Sequence, residues 1–144
     1  LHGNATRARC LSCGRQFPRD EIQDRLERGE AVPACVPPCS GIIKPTTILF
    51  GETMPVAETR EAERRAAASD CFLVVGSSLV VYPAAMYPIH AKRSGAKLII
   101  VNLTSTPHDS HADAVIHTKA GVFMNALLSR VRASLNPPRE VVRD

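Results

Sequence analysis

Tryptophan is absent from these 144 residues, and the other aromatics are few, with 2 Tyr and 4 Phe. A protein that reads nucleic acid usually interleaves aromatics with a basic face. Here the formal charge of +4, from 18 basic and 14 acidic residues, is not gathered into one run. Nucleic acid is therefore not expected as a partner. No apolar run is long enough to span a bilayer, and no leader-like segment is visible. A membrane partner is not expected either, and a cytoplasmic, thiol-reducing setting is. Glycine is sparse too, at 8 residues, with no G-x-G-x-x-G or comparable cluster. The backbone cradle with which a helix N-terminus holds a pyrophosphate is thus missing. Either no dinucleotide binds, or the pyrophosphate half of its site lies upstream of Leu1. The start, which lacks an initiator Met and runs directly into Thr6-Arg7-Ala8-Arg9, favours the second expectation.

Cysteine is what the chain does have in a pattern. Cys10-Leu11-Ser12-Cys13 is answered twenty-two residues later by Cys35-Val36-Pro37-Pro38-Cys39. Two tight knuckles separated by a loop of this length can face one another and offer four soft thiolate ligands in a tetrahedron. The competing readings are two disulfides or four ordinary buried thiols, and the reducing setting disfavours the first. Cys10, Cys13, Cys35 and Cys39 are therefore expected to hold a structural zinc. Four protein ligands fill the shell and leave no position for water or substrate. Cys71 stands outside the pattern in an apolar run and reads as a small core residue.

The zinc segment up to Ile43 is nearly neutral, with six Arg against five acidic residues. It contains a short strand over Thr6–Arg9 and a helix from about Asp20, a possible cap, to Arg28, ended by Gly29. Ile22 and Leu26 share one face of that helix. After Ile43 the pattern becomes an alternation of strands and helices. The apolar runs Thr47–Phe50, Cys71–Val75, Lys97–Val101 and Ala114–His117 read as strands. Val56–Ala68, a stretch from Tyr87 to Gly95, and Gly121–Leu135 read as helices, the last with Phe123, Leu127 and Val131 on one stripe. Runs that are apolar at successive positions suit strands covered on both faces. Such alternation predicts an α/β fold, part of a doubly wound Rossmann-type parallel sheet carrying a small four-cysteine zinc-ribbon module. The expected divisions are 1–43, the zinc-binding segment; 44–135, half of a nucleotide-binding domain; and 136–144, a frayed tail after Pro137-Pro138.

Ligands of such sheets bind beyond the carboxyl ends of the strands. Those ends are Phe50-Gly51-Glu52, Gly76-Ser77-Ser78 and Asn102-Leu103-Thr104, each polar or glycine-bearing directly after an apolar run. Together they point to a nucleotide.

Taken in order, Leu1-His2-Gly3, the four cysteines, Cys39-Ser40-Gly41-Ile42-Ile43-Lys44-Pro45, Phe50-Gly51-Glu52 with Pro55, Gly76-Ser77-Ser78-Leu79-Val80-Val81-Tyr82-Pro83 and Ile100-Val101-Asn102 resemble consecutive signatures of the sirtuin family. The resemblance spans nearly the whole chain. It implies NAD-dependent removal of acetyl or other acyl groups from lysine in a protein or peptide, giving nicotinamide and O-acyl-ADP-ribose. By position it makes His2 the catalytic base toward the ribose hydroxyls, a role that suits an imidazole because it titrates near neutrality. Ile48 and Phe50 match the apolar sleeve around the acyl-lysine stem, which is neutral and loses little in an apolar site. Phe50-Gly51-Glu52 and Ser78-Leu79-Val80 match the two edges between which an extended substrate pairs through its backbone. Gly76, Ser77 and Ser78 fall beside the cofactor's ribose and phosphates, Asn102, Leu103 and Thr104 beside the adenosine ribose, and Ala120 beside adenine.

The family's glycine-rich turn, cofactor loop and Gln-Asn-x-Asp segment have no counterpart in this sequence, so the segment alone is expected to be inactive or very weak. Two other readings remain open. One is a sirtuin-like ADP-ribosyltransferase with the same cofactor geometry; the other is a zinc-ribbon interaction module without chemistry. His108, Asp109, His111 and Asp113 could be taken for a metal cluster, but the two histidines lack helical i, i+4 spacing, no pattern of outer partners supports them as ligands, and the group reads as a solvated loop. His90 and His117 read as structural.

Overall fold

The computed structural model describes residues 1–135; the expected tail, with Pro137 and Pro138, lies outside the described residues. Contacts divide the chain into two compact units, Leu1–Thr59 and Arg60–Asp144.

In the first unit, β1 (Arg7–Cys10) is the centre of a three-stranded antiparallel sheet, between β2 (Gln16–Pro18) and β3 (Ile43–Pro45). Ala8 faces Phe17 on one side and Pro45 on the other, and Cys10 faces Ile43. The period-two alternation of strands puts Ala8, Cys10, Phe17 and Ile43 on one face, where they bury together with Ile22 and Cys35. Arg7, Arg9 and Gln16 take the exposed face. The sequence reading anticipated β1 but not β2 or β3. Strands of three residues carry too little alternation to register.

Helix α1 (Arg19–Glu27) buries Ile22, but Leu26 remains 39% exposed, so the expected shared face is only half covered. Pro18 occupies the N-cap position and makes no side-chain cap, while Asp20 lies in the first turn. Asp20 therefore acts on the helix end through its charge rather than as the expected cap. Gly29, at φ +94°, closes the helix, with its N–H donating to the Leu26 carbonyl.

The run Thr47–Phe50 corrects the expectation of a strand. It pairs with no strand among the described residues and ends in a turn at Phe50–Gly51. α2 (Val56–Ala67) follows, with Arg64 and Arg65 both bonded to Glu61 at 2.8 and 2.7 Å.

In the second unit, β4 (Cys71–Val75), β5 (Lys97–Asn102) and β6 (Ala114–His117) form a parallel sheet in that order. α3 (Tyr87–Arg93) crosses from β4 to β5, with Pro88 in its first turn as expected. The connection from β5 to β6 is a loop with a single 3-10 turn, Asp109–His111, in place of a helix. Leu98 and Ile100 are fully buried with Val74, Leu79 and Ala85. Val101, which alternation places on the other face of β5, is fully buried too. β5 thus has the two covered faces that its composition foretold. β4 does not: only Val74 is buried, Leu73 is 38% exposed, and Cys71 is exposed rather than a core residue. Among the described residues β4 pairs only with β5, and an edge strand loses cover on its free side. α4 (Ala120–Leu135) contains no fully buried residue; Phe123 and Leu127 are half-buried and Val131 is 44% exposed.

Candidate functional site

The cysteines come together as their spacing requires. Cys10 ends β1, and Gly14, at φ +74°, turns the chain so that its N–H returns to the Cys10 carbonyl. Cys35 N–H donating to the Gly41 carbonyl at 2.7 Å closes the second knuckle, and Leu11 N–H donating to the Ile42 carbonyl at 2.9 Å ties it to the first. All four Sγ atoms lie within 4.8 Å of one another. Cys10 and Cys39 sulfurs are 3.6 Å apart, and those of Cys13 and Cys35 3.7 Å. A tetrahedron with Zn–S bonds of about 2.3 Å has S···S edges of about 3.8 Å, whereas a disulfide needs about 2.05 Å. The group is a metal-ligand set and not a pair of disulfides.

Its electrostatics point the same way. The N–H groups of Cys13 and then Ser12 face the Cys10 sulfur and, against the effect of burial, lower its pKa to about 6. Burial, followed by the Cys13 and Cys10 thiols, pushes Cys35 up to about 12. Crowded thiols of this kind resist joint ionisation, and a divalent cation offsets that resistance. Gly41 makes the crowding possible. A Cβ there would stand 2.4 Å from Ser12 Oγ and 2.6 Å from Cys10 Sγ.

A polar clamp secures the second knuckle. Arg25 donates to both Glu30 oxygens at 2.7 and 2.6 Å and to the Ala34 carbonyl at 2.6 Å, and Ala34 N–H returns to Glu30 at 3.1 Å. Arg25, with the Ala34 N–H, holds the Glu30 pKa down to about 2.

His2 is exposed, and its carbonyl accepts the Ile48 N–H at 2.9 Å. The next residue, Gly3, has φ +65°, and a Cβ on it would meet the Thr46 carbonyl oxygen at 1.9 Å. Only glycine allows the His2 strand to lie against Thr46–Ile48 so closely. The structure thereby brings His2 to the half-buried Ile48, and Phe50 follows with 95% of its surface exposed. Glu52 turns its carboxylate inward to Lys44 Nζ at 2.6 and 2.7 Å and to the Leu49 N–H at 2.8 Å. Its side chain thus braces the loop, and Lys44 keeps its pKa below the usual range. Gly51, at φ +88°, sits at the bend.

In the second unit, Gly76 (φ +65°) leaves β4 and donates its N–H to Val101 at 2.8 Å. Ser77 and Ser78 are exposed, and Ser77 Oγ accepts the Leu79 N–H at 3.3 Å. Leu79 has the uncommon φ of +54° and is only 6% exposed, so its side chain belongs to the core. Val80 is 58% exposed. Asn102, at the end of β5, donates its amide to the Thr104 carbonyl at 2.9 Å, and Leu103 and Thr104 are exposed. Ala120 opens α4, and its Cβ lies 3.8 Å from where a Cβ on Gly76 would stand. Glycine, hydroxyl and amide groups therefore gather at the carboxyl edge of the parallel strands, a donor set that fits the ribose and phosphate groups of a nucleotide.

His108, Asp109, His111 and Asp113 do not converge as a ligand set; among the described residues the four cysteines do. Nor is His108 solvated as expected, for it is 8% exposed and its Nε2 has no hydrogen-bond partner among the described residues. The sequence reading named Gly3 and Gly41 only within the signatures that carry the resemblance and gave them no role, and it missed the Arg25–Glu30 clamp. A glycine beside a candidate catalytic or ligating residue was the available signal for the first two.

The Sir2 family model matches residues 1–83. A relative from Caldivirga maquilingensis named NAD-dependent protein deacetylase is 46% identical over 132 residues, covering 92% of this chain and 50% of its own length. Another, from Archaeoglobus fulgidus and named NAD-dependent protein deacylase 2, is 41% identical and is covered to 52%. The chain spans about half the length of the curated relatives it matches. A solved complex of Sir2 with p53 peptide and NAD+ superposes with a TM-score of 0.86 at 36% identity, covering 92% of this chain and 54% of the other. Sir2 bound to an acetylated peptide gives 0.87 at 35% identity, with 92% and 55% covered.

Proposed function

Because the chain belongs to the Sir2 family, we propose that it supplies the catalytic-histidine, zinc-binding and adenosine-binding parts of an NAD-dependent protein-lysine deacylase. The observation that carries this reading is the placement of His2 against Ile48 by the Gly3 turn, in a chain whose strand ends present a nucleotide donor set.

His2 is the general base. It is exposed, its backbone is fixed by Ile48, and an imidazole is the side chain that most often serves as a general base. Ile48 and Phe50 line the acyl-lysine stem. Gly51 and Glu52 in the first unit, and Leu79 and Val80 in the second, are each substrate-contacting through their backbones, since the Glu52 carboxylate is engaged with Lys44 and the Leu79 side chain is buried. Gly76, Ser77 and Ser78 hold the ribose and phosphate groups, Asn102, Leu103 and Thr104 the adenosine ribose, and Ala120 the adenine. NAD, when bound, supplies the electrophilic ribose carbon that receives the acyl oxygen as nicotinamide leaves. Cys10, Cys13, Cys35 and Cys39 hold zinc, which shapes the first unit and takes no part in the chemistry. We propose a cytoplasmic setting, which unoxidised thiols in a metal-binding role support.

The test is nicotinamide release from NAD in the presence of an acetyl-lysine peptide. It compares this chain with the same chain extended upstream by the half that its relatives carry. Turnover by the extended form that His2→Ala abolishes supports the reading. A folded, zinc-loaded extended form without turnover overturns it.

A further inference from the structure

His117, set aside as structural on sequence grounds, occupies a particular place. It is the last residue of β6 and pairs across the sheet with Asn102, the last residue of β5. Its Nδ1 lies 3.3 Å from the Asn102 carbonyl oxygen. A carbonyl only accepts, so Nδ1 carries the proton in this contact. The other ring nitrogen, Nε2, stands 3.7 Å from Asp109 Oδ2. Asp109 is itself fixed, with Oδ1 accepting the hydroxyl of the buried Thr106 at 2.6 Å and its N–H donating to the Thr106 carbonyl at 3.3 Å.

Asn102 and Asp109 are the two ends of one surface loop, and a single imidazole spans its neck. The loop carries Leu103 and Thr104 exposed at its start, and the Asn102 amide is tied to Thr104. The imidazole is half exposed and adds nothing to the buried cluster around Leu98 and Ile100. Its contacts thus bear on the loop and not on the core.

We propose that His117 is a positioning residue: by donating its Nδ1–H to the Asn102 carbonyl it fixes the segment 102–104, and so sets the chain's affinity for the adenosine-ribose end of NAD. The second clause rests on the cofactor reading above. His117 acts through Asn102 and Thr104 and touches no cofactor atom itself.

Two measurements test it, amide hydrogen exchange across residues 103–105 in this chain and calorimetric titration of the upstream-extended form with ADP-ribose. His117→Ala is expected to raise exchange in that segment and to weaken ADP-ribose about ten-fold, the worth of one well-placed hydrogen bond. Its melting temperature should stay at the wild-type value. His117→Asn places an amide N–H where Nδ1 stood and should restore most of both properties, a rescue that a merely space-filling role would not show. Unchanged exchange in His117→Ala, or His117→Asn behaving no better than His117→Ala, overturns the positioning role. Asn102→Ala separates the two layers. If it binds ADP-ribose as wild type does, or if wild type does not bind, the cofactor reading and the affinity clause fall together, while exchange still decides whether His117 holds the loop.

Discussion

Gly41→Ala should cost the protein its metal, although position 41 supplies no ligand. The added Cβ would stand 2.6 Å from Cys10 Sγ, 2.4 Å from Ser12 Oγ and 2.7 Å from Ser12 Cβ. Ordinary contact begins at 3.4 Å, so the sulfur would have to withdraw by 0.8 Å or the Gly41 backbone would have to move as far. The backbone is not free to do so, because the Gly41 carbonyl accepts the Cys35 N–H at 2.7 Å, which couples any shift to a second ligand. Metal–sulfur distances tolerate deviations of about 0.2 Å. The displacement is several times that, and a loss of metal affinity of at least 10- to 100-fold follows, the scale seen when groups that orient ligands are altered.

Gly41 does not have the positive φ that would make alanine strained for conformational reasons, so space alone is at issue. That permits a sharper comparison. Ser12→Gly in the Gly41→Ala background removes both contacts to Ser12 but leaves the one to Cys10 Sγ, and it should restore little. Competition for zinc against a chromophoric chelator measures each variant. Gly41→Ala binding one zinc within two-fold of the wild-type affinity would refute the steric argument.

Gly3→Ala should reduce deacylation by the extended chain about 100-fold, since its Cβ would overlap the Thr46 carbonyl and displace His2; kcat measured at saturating peptide checks this. His108→Phe should stabilise the fold by about 1 kcal/mol, because it removes a buried ring nitrogen that has no partner among the described residues. Thermal unfolding would register that as a rise of about 3 °C. Glu30→Gln should lower the melting temperature most above the ordinary glutamate range of about 4.3, with the difference from wild type shrinking as pH falls toward about 2. The sign follows from a folded-state pKa held below its unfolded value: the clamp's contribution is present above the unfolded pKa and is lost as Glu30 protonates. A difference that grows on acidification would contradict the clamp. Chelation at neutral pH should abolish the dispersed amide signals of residues 1–59 in an NMR spectrum, since such sites do not pre-exist in an unfolded chain.

Much of this was legible in the residues. Cys-x-x-Cys and Cys-x-x-x-Cys carry their geometry in their spacing, and the continuous apolar run of β5 announced a strand buried on both faces. The misses have physical causes. β4 has nearly the same apolar composition as β5, yet composition cannot say on which side a neighbour pairs, and Leu73 and Cys71 are exposed for want of one among the described residues. Thr47–Phe50 looks like a strand for the same reason and is instead a segment tied down by single contacts from His2 and Glu52. The His108 loop was read as solvated because His and Asp are polar, but one ring of the group is buried. Contacts at a distance, such as Arg25 to Ala34 or Asp109 to His117, have no signature in a single sequence.

A metal on the four cysteines would bear on the proposed catalysis without doing chemistry, through a continuous run of backbone pairings inside the first unit. The metal knuckles fix Cys10, which pairs with Ile43; Arg9 then pairs with Lys44, and Ala8 with Pro45. Beyond the strand, Thr46 N–H donates to the Arg7 carbonyl at 3.0 Å and its hydroxyl to the Asn4 carbonyl at 2.9 Å. Ile48 N–H then reaches the His2 carbonyl. Each step moves one chain outward from the metal and the other back toward the N-terminus, so the register set by Cys10 is the register in which His2 meets Ile48. In an antiparallel pair a slip of one residue sends every side chain to the opposite face. The short strands of this sheet have little alternation of their own to resist such a slip. The four cysteines supply what the strand sequences lack, and the placement of His2, the proposed base, depends on them.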